Sequence, residues 1–423
     1  MEFVRVFTNP QRCMQRLGFL KHLLWRASQS ATNNLSTLGK DLVTAVTQRI
    51  AAVLTPELDE YISTASADSR HKSLGRAAPR DRDGCTEQTR VEVEIQEFFL
   101  AHLDVPSRRG RLVKDDWRRY PHLAVNLGLL RKGTYSLLVR GQAFLGLVSD
   151  EEKKGFVRDA SGVLATSASN PLRLTPQQKL ILLYSLVRND GDILRELFSR
   201  LLQINDSFTD WQAGDYLPDI YRKVAKESRH RVRSGDDLVK IQRLLDSAAN
   251  IERWKGKRYK GKGARDEAAT IRLEPLVDLG LLSKPDPFAY RYLATEATKI
   301  FLGLLTNSES IEEFLDHSFF AASSRALAFQ GEHDTRRETI LVPLQKAYNI
   351  LRSPLGYVPI LEVALLSGIS SLTESGKYFE ISEAMETLKS LQREAPEFVT
   401  FNVDRWGGLS VVKFKHDIAQ VTK

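Results

Sequence analysis

The stretch from Arg253 to Arg265, RWKGKRYKGKGAR, holds seven basic side chains and no acidic one, with Gly256, Gly261 and Gly263 and the aromatics Trp254 and Tyr259 among them. Two chemistries fit this composition. Glycines let a backbone wrap phosphate, and residues 256–263 read G-x-x-x-x-G-K-G, one residue away from a nucleotide-binding loop. Alternatively, Lys255, Lys257, Arg258, Lys260 and Lys262 neutralise the phosphates of a nucleic acid while the aromatics stack or wedge. The nucleotide loop requires a buried strand before it and a hydroxyl after its lysine. Here an amphipathic helical pattern, DDLVKIQRLLDSAANIERW, comes first, and Gly263 stands where the hydroxyl belongs. The strap is the better reading, with a solvated linker as its plain alternative.

Catalytic and metal chemistry find less support. The eight histidines are scattered without H-E-x-x-H or H-x-x-E-H spacing, and the two cysteines, Cys13 and Cys85, cannot make a four-thiolate site. Glu151-Glu152-Lys153 matches a nuclease triplet but has no acidic strand before it, and no G-x-S-x-G elbow occurs. Asp190, Asp192, Asp236 and Asp237 read as helix caps and solvent-facing residues. No catalytic residue, metal or cofactor is therefore expected. A net charge of +8 over 423 residues favours polyanionic partners without demonstrating one. The few cysteines, the lack of a signal-peptide pattern and the lack of 18 uninterrupted apolar residues point to the cytoplasm and away from a membrane.

The elements that must position the basic run are mostly helical. Residues 1–61 form an N-terminal helical segment, and the Ser/Ala/Arg/Asp-rich stretch 62–89 reads as a flexible linker. Thr175-Pro176-Gln177-Gln178 is a capping box with proline in the first turn, and Ser310 to Glu313 is another. Asn189-Asp190-Gly191 stops the helix that Thr175 starts, and a second begins after it.

Two segments share an order of elements. PHLAVNLGLLRKGTYSLLVRGQAFL (121–145) and EPLVDLGLLSKPDPFAYRYLATEATKIF (274–301) both carry Leu-Gly-Leu-Leu-x-Lys, a polar turn, a returning stretch and a helix with a small residue, Gly141 or Ala297. Glycine ends a helix cheaply in the left-handed conformation, so Gly128 and Gly280 predict helix, strand, basic turn, strand and helix. At 397–415, EFVTFNVDRWGGLSVVKFK predicts a two-stranded hairpin around Asp404–Gly408, after two helical stretches.

These features resemble tandem winged helix-turn-helix proteins, in particular bacterial accessory or specificity proteins of restriction and phage-defence systems; the matching motifs cover 105–150, 264–302 and 357–416. The resemblance implies a mainly α chain with short β-hairpin wings, its winged modules (90–165, 253–305 with the basic loop, and 356–423) set on helical scaffolding at 170–252 and 308–355. It also implies a non-catalytic, double-stranded-DNA-binding component of a bacterial DNA-processing or defence complex. The alternatives are a protein-interaction scaffold and a transcriptional regulator.

In the second module Ala269, Leu273, Leu276 and Leu279 form an inward stripe, so Arg265, Thr270 and Arg272 are expected to face out, with Arg265 and Arg272 in or beside the major groove. The first module would offer Arg108, Arg109, Arg111, Arg118 and Arg119, with Arg131 and Lys132 at its wing tip. The exposed side of helix 382–394 carries Glu383, Glu386 and Glu394, which favours a partner protein subunit there over phosphate.

Overall fold

A computed structural model describes residues 5, 7, 17–29, 119–148, 174–204, 206–232, 234–253, 262–284, 291–403 and 409–418. Mainly helical, these residues contain thirteen α-helices and three small sheets.

Helix α1 (Phe19–Ser28) packs on both α2 (Arg119–Asn126) and α3 (Val139–Gly146). Gly128, at φ +70°, closes α2: its amide bonds to the Val125 carbonyl and that of Leu129 to the Ala124 carbonyl, the double bond pattern of a glycine-terminated helix. Leu130 and Leu137 then bridge antiparallel around a tip holding exposed Arg131 and Lys132. Gly141 lets α3 lie directly on this backbone, since a Cβ there would sit 2.3 Å from the Leu129 carbonyl oxygen.

The spine is α4 (Pro176–Ile204), which packs against four later helices. The predicted capping box is present: the Gln178 amide donates to Thr175 Oγ1 at 3.2 Å and the Thr175 amide to Gln178 Oε1 at 3.0 Å. At Asn189-Asp190-Gly191, where the sequence predicts a stop, the backbone leaves the helical conformation at Asp190 (φ −135°, ψ 15°), so α4 is two helices joined across a kink. After β1 (Ser207–Thr209) come α5 (Asp210–Glu227), α6 (Gly235–Glu252) and α7 (Lys262–Asp278). Then follow β2 (Leu282–Ser283), β3 (Arg291–Ala294) and α8 (Glu296–Asn307). Gly280 repeats the Gly128 device at φ +83°, with the Gly280 amide on the Val277 carbonyl and that of Leu281 on Leu276. The sheet runs β1-β3-β2, antiparallel throughout, with Phe208 opposite Tyr292.

The C-terminal part contains α9 (Ile311–His317), α10 (Phe319–Ala326), β4 (Glu332–His333) and α11 (Arg337–Leu351). It continues through β5 (Val358–Pro359), α12 (Ile360–Ser375), β6 (Lys377–Tyr378), α13 (Ile381–Glu394), β7 (Val399–Val403) and β8 (Leu409–Phe414). The predicted hairpin is present as β7–β8, and β5 adds on the far side of β8, giving the order β5-β8-β7. Strands β4 and β6 pair parallel. Arg140 ties α3 to α12 through a two-pronged bond to Glu362, at 2.6 and 3.1 Å.

Candidate functional site

Most of the basic residues singled out in the sequence, Lys255, Lys257, Arg258, Lys260, Arg108, Arg109, Arg111 and Arg118, lie outside the described residues. Lys262 and Arg265 fall on the first turn of α7, and Arg119 opens α2, with only their backbone described. Arg131 and Lys132 are exposed at the hairpin tip, as expected.

Arg272 is a correction. Its side chain is fully buried and faces no groove. Nε and Nη2 donate to the two carboxylate oxygens of Asp190 at 2.6 and 3.1 Å, and Nη1 donates to Tyr221 Oη at 2.9 Å and the Ala268 carbonyl at 2.8 Å. Thr270 is buried too. The inward stripe of Ala269, Leu273, Leu276 and Leu279 is real, but α7 has no outward face from 268 to 277, because α5 and α6 cover it as well. Ile271 and Val277, apolar residues off that stripe, were the readable sign of a helix surrounded on all sides.

Asp190 and Asp192 likewise face inward rather than solvent. A buried guanidinium and a carboxylate can coexist without water only when each satisfies the other. Burial alone would lower the Arg272 pKa, but the Asp190 charge and Tyr221 outweigh it and hold the cation above its ordinary value. Burial raises Asp190 against the pull of Arg272 and of the Phe7 amide. Two residues on, burial raises Asp192 in the same way against Arg231, whose Nη1 donates to it at 3.2 Å. A second buried pair fastens α7 to the hairpin: Glu274 Oε1 accepts from Tyr292 Oη at 2.7 Å and from Lys284 Nζ at 3.2 Å. Lys284, the counterpart of exposed Lys132 in the repeated motif, is thus withdrawn from solvent.

Helix α13 differs. Ile381, Ala384, Leu388 and Leu391 form one buried stripe, and the opposite side stays open. The three acidic residues expected there each have a basic neighbour: Glu386 pairs with Lys389, Glu394 with Arg337 and Glu383 with His333. Below them, Glu380 accepts the Phe320 amide at 3.0 Å and the Ala321 amide at 2.7 Å, capping α10 from the start of α13. Burial pushes Glu380 up to about 7, against the pull of those two amides.

A cleft of about 350 Å³ lies between α5 and α6, lined by Tyr221, Lys240, Arg243, Ser247 and Asn250 and closed at one side by Phe7. Among the described residues no cluster of three or more His, Cys, Asp or Glu side chains could hold a metal ion, and no helix is long and apolar enough to cross a membrane. Comparison with family models, curated proteins and solved structures returned no match to this chain.

Proposed function

We propose that the chain is a tandem winged-helix protein that binds double-stranded DNA as a non-catalytic component of a bacterial DNA-processing or defence complex in the cytoplasm. One observation carries the winged-helix part: the order strand, helices, strand, hairpin, strand occurs twice, with the first strand next to the last each time (β1-β3-β2 and β5-β8-β7). A wing is the hairpin of such a sheet, and its neighbouring helix is the element that docks on a duplex. The DNA part draws on the net charge of +8, the basic run ahead of α7 and the exposed Arg131 and Lys132. With Arg272 buried, phosphate contact falls to Lys255, Lys257, Arg258, Lys260 and Lys262, and α7 serves as the anchor of that run.

The open face of α13, with its interleaved acidic and basic side chains, favours a second reading in which this module recruits a partner subunit. Gel-shift measurements at physiological salt with duplex, single-stranded and RNA probes test the proposal. It predicts retention of the duplex; no retention of any probe would leave the scaffold reading in its place.

A further inference from the structure

The bend in α4 does more than hold Arg272. Asp190 and Asp192 stand two residues apart, and each accepts a backbone amide from a distant segment: Phe7 donates to Asp190 Oδ1 at 2.9 Å and Arg5 to Asp192 Oδ2 at 3.3 Å. The two donors are amides two residues apart, the spacing at which an extended chain presents its amides on one side, and two carboxylates bind them. The side chains are read as well. Arg5 Nη2 and Nε donate to Glu312 Oε1 at 2.7 and 3.1 Å, and Nη1 donates at 2.6 Å to the Arg188 carbonyl beside the bend. Phe7 is 3% exposed, buried in the apolar core. Gly191 permits the arrangement, since a Cβ there would lie 2.9 Å from Ile311, the residue before Glu312 on α9.

We propose that the bend of α4 is a recognition slot for an extended peptide with arginine two residues before an aromatic, occupied in cis by Arg5 and Phe7. Two carboxylates for backbone, one carboxylate and one carbonyl for the guanidinium and an apolar seat for the ring make a complete set of contacts for such a ligand. A partner protein presenting the same pattern competes for the slot. This inference does not depend on DNA binding.

The test uses the full chain with a specific protease site inserted after Pro10. After cleavage, a labelled peptide of residues 3–10, FVRVFTNP, should exchange into the protein, while the uncut chain takes up none. Peptides carrying Arg5→Ala or Phe7→Ala should bind about tenfold more weakly or worse. Absence of exchange, or equal binding of the alanine peptides, overturns the proposal. Should the cut chain unfold, the intact F7A chain serves as the second receiver. It must bind the unsubstituted peptide more tightly than the unsubstituted chain does, and failure to do so overturns the proposal equally.

Discussion

Helices α7 and α13 hold the same place in two copies of one strand order, and they are used in opposite ways. Residues 268–277 of α7 are buried at every position, with a fully buried ion pair at their centre. Helix α13 buries one stripe and leaves Glu386 and Glu394 in water, each beside a basic partner. Topology therefore does not decide which helix keeps an exposed face; the helices packed around it do. Where α5 and α6 wrap α7, its residues 268–277 keep no exposed face. Where α13 rests on its own sheet and neighbouring helices, one side stays open.

The largest expected effect comes from breaking the buried pair. Arg272→Ala removes the guanidinium from the buried Asp190 carboxylate, and should lower unfolding free energy by about 3–5 kcal/mol in denaturant titration. Arg393→Ala, at an exposed position of α13, should stay within about 0.5 kcal/mol. Equal effects would erase the contrast between the helices.

Glu380 sharpens it next. Its carboxyl is raised from 4.5 to about 7 by burial, so the folded chain binds that proton more tightly than the unfolded chain does. The stabilisation is complete below the ordinary carboxylate pKa and is lost as pH rises towards 7, by up to about 3 kcal/mol. Unfolding midpoints measured across that range should fall for the unsubstituted chain, and the fall should flatten in Glu380→Gln, with Glu383 and His333 as neighbouring charges. A slope that survives the substitution would place the linkage elsewhere.

Third is the floor under α13. An added Cβ at Gly368 of α12 meets the Phe320 ring at 2.4 Å, whereas one at Gly303 of α8 meets nothing within 4 Å. Thermal unfolding should show Gly368→Ala destabilised by about 1–3 kcal/mol, while Gly303→Ala is neutral or stabilised by up to about 1 kcal/mol. The smallest effect belongs to Glu386→Gln, which removes the exposed pair with Lys389 and should shift stability by less than about 1 kcal/mol. A larger change would mean that the open face of α13 is structural.

Local signals in the sequence identified much of the fold. The glycine caps at 128 and 280, the Thr175 box and the hairpin around 404–408 all depend on neighbouring residues, and the helix ends, the capping bonds and strands β7 and β8 match them. The three-residue strand β1 was missed, because Ser207-Phe208-Thr209 becomes a strand only by pairing with residues more than eighty positions away. The same cause lies behind the errors at Arg272, Asp190 and Asp192. A charge looks solvent-facing until its partner is known, and Arg272 lies 82 positions from Asp190 and Asp192 39 from Arg231. Of the expected DNA contacts, Arg131 and Lys132 are exposed at the predicted tip, while Arg272 is sealed in the core.

The proposed function has the chain grip duplex DNA through the basic run that leads into α7. Its most direct test is the slope of log affinity against log salt for the unsubstituted chain and for one with Lys255, Lys257, Arg258, Lys260 and Lys262 all changed to glutamine. Each neutralised phosphate contributes about −0.9 to that slope, so five lost contacts should flatten it by about 4.5 units in the substituted chain. Identical slopes for the two chains would contradict it.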